Sequence, residues 1–148
     1  MIIVEIKVKE ILSEETEYIE IGCHRRDSRV EEIIRFVKLH QGTIEATKQE
    51  KQYQIPLSEI YYIEAVDDKT FIYLSKSCYE SHKRLYEFEE LLADRSFARI
   101  SKSVVVNLMK ITSIKPALYG RFLCQLKNNE NVIISRKYVA EIKERLRG

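Results

Sequence analysis

The stretch Phe97-Ala-Arg-Ile-Ser-Lys-Ser-Val-Val-Val-Asn107 places a short basic and hydroxyl cluster against an apolar run, and Ile134-Ser-Arg-Lys-Tyr138 repeats the combination further along the chain. The valines favour a buried β-strand, because branched side chains pack well on a pleated surface. Asn107 ends that strand, where we expect it to hydrogen-bond to backbone. Neither segment has the histidine, paired carboxylates or glycine-rich loop that chemistry on a small molecule usually needs.

Charge is distributed unevenly along the chain. From Arg95 to the C-terminus there are twelve Lys or Arg and three acidic residues, although the formal net charge of the whole chain is only +2. The first 41 residues are acidic, with seven basic and nine acidic residues. A local basic surface on a small domain is typical of a protein that binds a polyanion.

Length and composition indicate one domain, or one domain with a small appendage, in 148 residues. No apolar run is long enough for a membrane span and none resembles a signal peptide, so a cytoplasmic location is expected.

Cys23, Cys78 and Cys124 are odd in number and far apart, which indicates free thiols. The cysteines and histidines show no metal-ligand spacing or catalytic constellation, so we expect no metal, cofactor or enzyme activity.

Residues 1–42 predict a small β-β-α element. Alternating apolar residues predict strands at Ile2–Val8 and Tyr18–Cys23. Ser28 and Glu31 then have the spacing of a capping box at the start of a helix, which is expected to stop at Gly42. This acidic element is a candidate for dimerisation or for contact with a protein partner.

Residues 43–148 predict a domain that is mainly β with short helices, an α+β class, because strands and helices do not alternate regularly. Ser135 is expected to cap the last helix. Two roles for Arg99 have equal weight. One is a structural pair with Glu87, Glu89 or Glu90, and the other is a ligand contact. The predicted elements are hairpins at 43–48 with 51–55 and at 60–65 with 70–75, a helix near 84–93, strands at 104–107, 111–114, 121–126 and 131–134, and a C-terminal helix.

An ordered set of motifs across these elements resembles the LytTR-type DNA-binding domain of the LytR/AlgR family of bacterial transcription regulators. The resemblance covers about seven tenths of the chain. Its motifs are Ile60-Tyr-Tyr-Ile-Glu64, Asp68-Lys69, Phe71-Ile-Tyr-Leu74, Leu85-Tyr-Glu-Phe-Glu-Glu-Leu-Leu92, the segment from Phe97 to Asn107, Ile111-x-x-Ile114, Leu126-x-Asn128 and Ile134-Ser-Arg-x-Tyr138.

The resemblance implies an elongated packing of short antiparallel strands that reads duplex DNA through loops in successive major grooves, often at direct repeats. Carried over by position, the contacting residues are Lys69, Lys102, Ser103, Arg136 and Lys137. Arginine suits bidentate contact to guanine, lysine suits bases or phosphates, and serine can donate to phosphate.

The sequence therefore predicts a bacterial, cytoplasmic regulator that binds double-stranded DNA as a homodimer. Many relatives carry a phospho-accepting receiver domain, and residues 1–42 are too few to form one, so a receiver is not expected. A different class stays open: a non-catalytic interaction module whose basic face binds an acidic protein partner.

Overall fold

The fold is described for residues 4–147 by a computed structural model. Its helices are α1 (Ser28–Leu39), α2 (Leu85–Leu91) and α3 (Val139–Arg147). Its strands are β1 (Thr43–Lys48), β2 (Lys51–Pro56), β3 (Tyr62–Val66), β4 (Lys69–Tyr73), β5 (Cys78–Ser81), β6 (Phe97–Arg99), β7 (Val104–Asn107), β8 (Ile111–Pro116), β9 (Phe122–Leu126) and β10 (Asn131–Ile134). The predicted class, mainly β with short helices, is confirmed.

Seven strands form one antiparallel sheet in the order β2-β1-β5-β4-β3-β7-β6. The two predicted hairpins, β1–β2 and β3–β4, are confirmed. In the second, Val66 pairs with Lys69 across a two-residue turn whose first residue, Asp67, has a φ of +56°. The sequence does not indicate β5 and β6, because four and three residues carry no usable periodicity and become strands only by pairing with β4 and β7.

The remaining strands form a smaller antiparallel sheet in the order β10-β9-β8. The predicted turn between β9 and β10 is confirmed: Asn129 has a φ of +70°, and the Asn128 side chain accepts a hydrogen bond from the Glu130 amide at 3.2 Å. The Asn128 amide group also donates to the Ser75 carbonyl at 3.2 Å, which connects this turn to the larger sheet.

Strand β7 lies between two hydrophobic cores. Val105 belongs to the core that contains Ile63 of β3 and Phe88 of α2. Val104 and Val106, which point to the opposite face, belong to the second core. That core includes Leu126 and Ile134 of the small sheet and Ile142 of α3. The quoted valine run therefore joins the two sheets.

The two strands predicted in residues 1–42 are wrong over the described residues, because 4–27 contain no strand. The prediction for Met1–Ile3 lies outside the described residues. Val4, Ile6 and Val8 alternate as predicted, but their side chains are 64%, 90% and 89% exposed. Alternation defines two faces of a segment, whereas a strand also needs a hydrogen-bonding partner and a surface to cover.

Helix α1 forms as predicted, but its ends differ. Asp27 is the N-cap, with its carboxylate accepting from the Val30 amide at 3.1 Å, so the predicted capping box at Ser28 is wrong. The helix ends at Leu39, which is buried in the core of the larger sheet. Gly42 lies beyond the helix, with a φ of +93°. None of the helices in the part of the chain described here has the length and apolar character of a membrane span.

The predicted structural role of Asn107 is confirmed. Its side chain is completely buried; the amide donates to the Ile60 carbonyl at 2.8 Å and the oxygen accepts from the Met109 amide at 3.0 Å. A buried amide satisfied in this way ties the end of β7 to the segment before β3.

We expect Asn107→Ala to lower the free energy of unfolding by about 2–4 kcal/mol, because a buried carbonyl and an amide lose their partners. Urea unfolding followed by circular dichroism measures this loss. Thr112→Ala is the matched control, because the exposed Thr112 hydroxyl also donates to a backbone carbonyl, that of Gln125. Equal losses for the two variants would contradict the role given to burial.

Candidate nucleic-acid interface

Three segments that carry the predicted contact residues are linked to one another by backbone hydrogen bonds. The loop Ile100–Ser103 between β6 and β7 lies at the centre. The Ser103 carbonyl accepts from the Ala65 amide at 2.9 Å, near the tip of the β3–β4 hairpin. The Ile100 carbonyl accepts from the Ser135 amide at 2.8 Å, directly before Arg136. The structure thus brings the segments of Lys69, Lys102 and Arg136 together on one framework.

Arg99 shapes the central loop. Its guanidinium donates to Glu89 of α2 at 2.8 Å, which confirms the predicted pairing with a helix acid. It also donates to the carbonyl of Ser101 at 2.8 Å and to that of Lys102 at 2.9 Å. These two carbonyl contacts are not visible in the sequence, because a loop conformation decides which carbonyls face a guanidinium. Arg99 therefore acts as a positioning residue for Lys102.

The predicted cationic side chains are all exposed but differ in whether they form ion pairs. Lys102, Arg136 and Lys137 are exposed, and none of them takes part in an ion pair among residues 4–147. Lys69 is exposed as well, but its amine lies 3.7 Å from Glu80 of β5. The three unpaired cations can meet an anion without first losing a partner in this structure.

Arg136 is held by the loop between β8 and β9. Gly120 in that loop has a φ of +74°, and a Cβ built on it would lie 2.8 Å from Cδ of Arg136. The stem of Arg136 therefore covers the glycine, which leaves no room for a larger residue there. Arg136 opens a short 3₁₀ turn, Arg136–Tyr138, that leads into α3. In the same turn the Lys137 amine lies 5.5 Å from the centre of the Tyr138 ring.

Ser103 and Ser135 line one groove, with a volume of about 330 Å³, between the two sheets. The predicted side-chain cap by Ser135 is wrong: its carbonyl, not its hydroxyl, receives the hydrogen bond from the Tyr138 amide at 2.8 Å. The Ser135 amide donates to the Ile100 carbonyl, so the backbone of this residue joins two chain segments at the groove.

The groove is not an anion site along its whole length. It is lined by Tyr62 and Glu64 of β3 as well as by the serines. Burial raises the pKa of Tyr62, and burial together with Cys78 and Glu64 raises that of Tyr73 to about 12. The two stacked rings, 4.5 Å apart, are therefore neutral at physiological pH. These neutral rings and the Glu64 carboxylate offer no positive charge to an anion in this part of the groove.

In the described chain, no three His, Cys, Asp or Glu residues cluster in a way that could hold a metal ion. The predicted free cysteines are confirmed, with Cys23 exposed, Cys78 half-buried and Cys124 buried. Burial raises the pKa of Cys124 to about 11, so that thiol is protonated and unreactive at neutral pH.

The geometry defines a class: a β-rich domain that presents polar, largely basic loops from a fixed framework, as nucleic-acid-binding domains do. The family model of the LytTr DNA-binding domain matches residues 50–147. The chain therefore belongs to the LytTR family of DNA-binding domains.

Relatives of the chain include named transcription regulators. It is 33% identical over 109 residues to the transcriptional regulatory protein YpdB of Escherichia coli, covering 73% of this chain and 45% of YpdB. The chain thus spans less than half the length of that relative. It is 30% identical over 141 residues to an uncharacterized HTH-type transcriptional regulator of Staphylococcus aureus, covering 92% of this chain and 94% of that protein. A solved LytTr DNA-binding domain from Bacillus cereus superposes with a TM-score of 0.66 at 29% identity, over 70% of this chain and 95% of that one.

We expect Gly120→Ala to destabilise the protein by about 1–2 kcal/mol from the left-handed backbone alone, and by more because the new Cβ meets Arg136. The steric contribution from Arg136 should disappear when Arg136 is replaced by alanine. A double-mutant cycle of thermal unfolding measures this difference. Gly22→Ala is the control, since a Cβ there meets nothing within 4 Å. The same cost in both backgrounds would mean that Arg136 does not rest on Gly120.

Proposed function

We propose that this protein is a bacterial, cytoplasmic transcription regulator that binds a specific site on duplex DNA and enters the major groove with its basic loops. In the proposed complex, Lys69, Lys102, Ser103, Arg136 and Lys137 contact the DNA. The proposal includes no catalytic role, because the work of such a domain is recognition.

One observation carries the proposal: the hydrogen-bonded linkage of three loops, two of which present cations without ion-pair partners among the described residues. Loops fixed in this way lose little conformational entropy on binding, so more of the contact energy appears as affinity. The family and the names of the relatives give independent support for DNA binding and transcription regulation.

The loops would have different roles. Arg136, with a guanidinium free to form two parallel hydrogen bonds, would read a guanine edge. Lys102 would contact a phosphate, because an amine on a loop tip is a point charge without directional preference. Lys69, beside Glu80 and the acidic turn Asp67–Asp68, would contribute less to phosphate binding than the other two.

Residues 1–42 would serve dimerisation or a protein partner, with two protomers bound to a direct-repeat site. Support comes from the exposed apolar residues of α1, where Ile33 and Phe36 are 40% and 53% exposed. The S. aureus relative matches nearly the whole chain, so its similarity extends into this segment.

We expect the affinity for duplex DNA to fall steeply with salt. If each protomer neutralises about four to six phosphates, log affinity against log salt should have a slope of about −4 to −5. Fluorescence anisotropy with a duplex selected from a random pool measures the slope. A flat salt response would contradict the proposal, and binding only to an acidic protein would support the interaction module instead.

We expect Lys102→Ala to weaken binding to all duplexes alike and Arg136→Ala to lower discrimination at one base pair by about 1–3 kcal/mol. Anisotropy on a set of single-base variants of the selected site separates the two effects. Lys51→Ala is the matched control, because Lys51 is an exposed lysine on β2, at the opposite edge of the large sheet from β6. If Lys51→Ala weakens binding as much as Lys102→Ala, or if Arg136→Ala leaves discrimination unchanged, the contacts lie elsewhere.

A further inference from the structure

The loop between β8 and β9 exposes two large apolar side chains beside Arg136. Leu118 is 71% exposed and Tyr119 is 81% exposed, more than any other large apolar residue between Ser28 and Arg147. Neither residue is part of the contact set inferred from the sequence. Single exposed apolar residues are ordinary, whereas an adjacent pair at a loop tip with this exposure calls for a partner or a function.

The loop is closed and locally fixed. The Ala117 amide donates to the Arg121 carbonyl at 2.8 Å, and Arg121 donates back to the Leu118 carbonyl through its amide at 3.3 Å and its side chain at 3.0 Å. Tyr119 has a φ of +62°, an uncommon conformation for a residue with a side chain. Such a conformation persists only where its surroundings determine it, and it often marks a contact site.

The surroundings of the loop are basic. From Arg95 to Asn129 the sequence contains no Asp or Glu, and the β8–β9 hairpin itself carries Lys115 and Arg121. The Arg121 guanidinium lies 5.8 Å from the centre of the Tyr119 ring, which places a cation next to the phenol. A rigid aromatic tip in positive potential is complementary to an anionic surface, and an apolar contact with a second copy of this basic hairpin would bring like charges together.

The loop is also continuous with the proposed DNA-binding face. Gly120 is the residue after Tyr119, and the stem of Arg136 covers it closely enough to exclude a Cβ. Tyr119 therefore belongs to the segment that lies directly against Arg136.

We infer that the Leu118–Tyr119 loop is a further DNA-contacting segment. The Tyr119 hydroxyl donates a hydrogen bond to a backbone phosphate next to the base pair that Arg136 reads, and Leu118 packs on the adjoining sugar. This inference rests on the proposed function, because it takes duplex DNA as the ligand. Tyrosine is among the side chains that position proteins on phosphates, and such a contact adds affinity without reading sequence.

Tyr119→Phe tests the hydroxyl, since it keeps the ring and changes no backbone requirement. We expect it to weaken binding to specific and random duplexes equally, by about threefold to tenfold. Anisotropy on duplexes with single neutral methylphosphonates should show one position, beside the Arg136 base pair, that weakens the wild type and leaves Tyr119→Phe unaffected. Tyr86→Phe is the matched control, because Tyr86 of α2 is 56% exposed and lies outside the proposed face.

Wild-type affinity and an unchanged methylphosphonate pattern for Tyr119→Phe would overturn the inference. A loss seen only on two-site duplexes would also overturn it, because the loop would then contact a second copy. Absence of duplex binding by the wild-type protein would overturn the proposed function itself. Sensitivity to Arg136→Ala without sensitivity to Tyr119→Phe would overturn this inference alone.

Discussion

Burial of strand β7 on both faces is the constraint on which the rest of the molecule depends. Val105 packs into one core while Val104 and Val106 pack into the other. Burying a valine completely is worth about 1.5–3 kcal/mol, so this short strand contributes to both cores at once. Because neighbouring side chains of a strand point to opposite faces, a shift in register by one residue would exchange the two sets and place each in the wrong core. The position of the preceding loop is therefore fixed as well.

Arg99 contributes to the candidate interface by holding this loop. Its own side chain is only 18% exposed. The guanidinium donates to the part-buried Ser101 carbonyl and to the more exposed Lys102 carbonyl, while Glu89 balances its charge. A guanidinium can do this because it carries five N–H groups in a planar fork. Lysine at this position would keep the charge and lose the geometry. The framework thus fixes the backbone and leaves the Lys102 amine free.

Much of the fold could be predicted from the sequence because its signals are local. The valine run of β7, the hairpins and the turn at Asn129 each follow from side-chain shape or from backbone preference. The errors in the strands concern partners: β5 and β6 are strands only through pairing, and Val4–Val8 alternate without a strand to pair with. At the candidate site, the sequence predicts the exposed cations and the pairing of Arg99 with a helix acid. It does not predict the contacts of Arg99 with the Ser101 and Lys102 carbonyls, which depend on the loop conformation, or the packing of Arg136 on Gly120, which lies sixteen residues away in sequence. No local pattern encodes such contacts.

The predicted contact cations lie in different electrostatic surroundings: Lys69 lies beside acidic residues, whereas Arg136 lies beside a basic hairpin. This difference affects how affinity and selectivity would be divided between them. An exposed pair such as Lys69–Glu80 contributes little to stability, so breaking it costs little, but the acidic turn beside it still repels phosphate. Arg136 and the basic β8–β9 hairpin have no carboxylate within their own segments. In the proposed complex, attraction to the backbone would therefore concentrate at the end of the molecule that carries Arg136. A contact at the β3–β4 tip would need favourable base edges, because a carboxylate can accept from cytosine and gains nothing from phosphate.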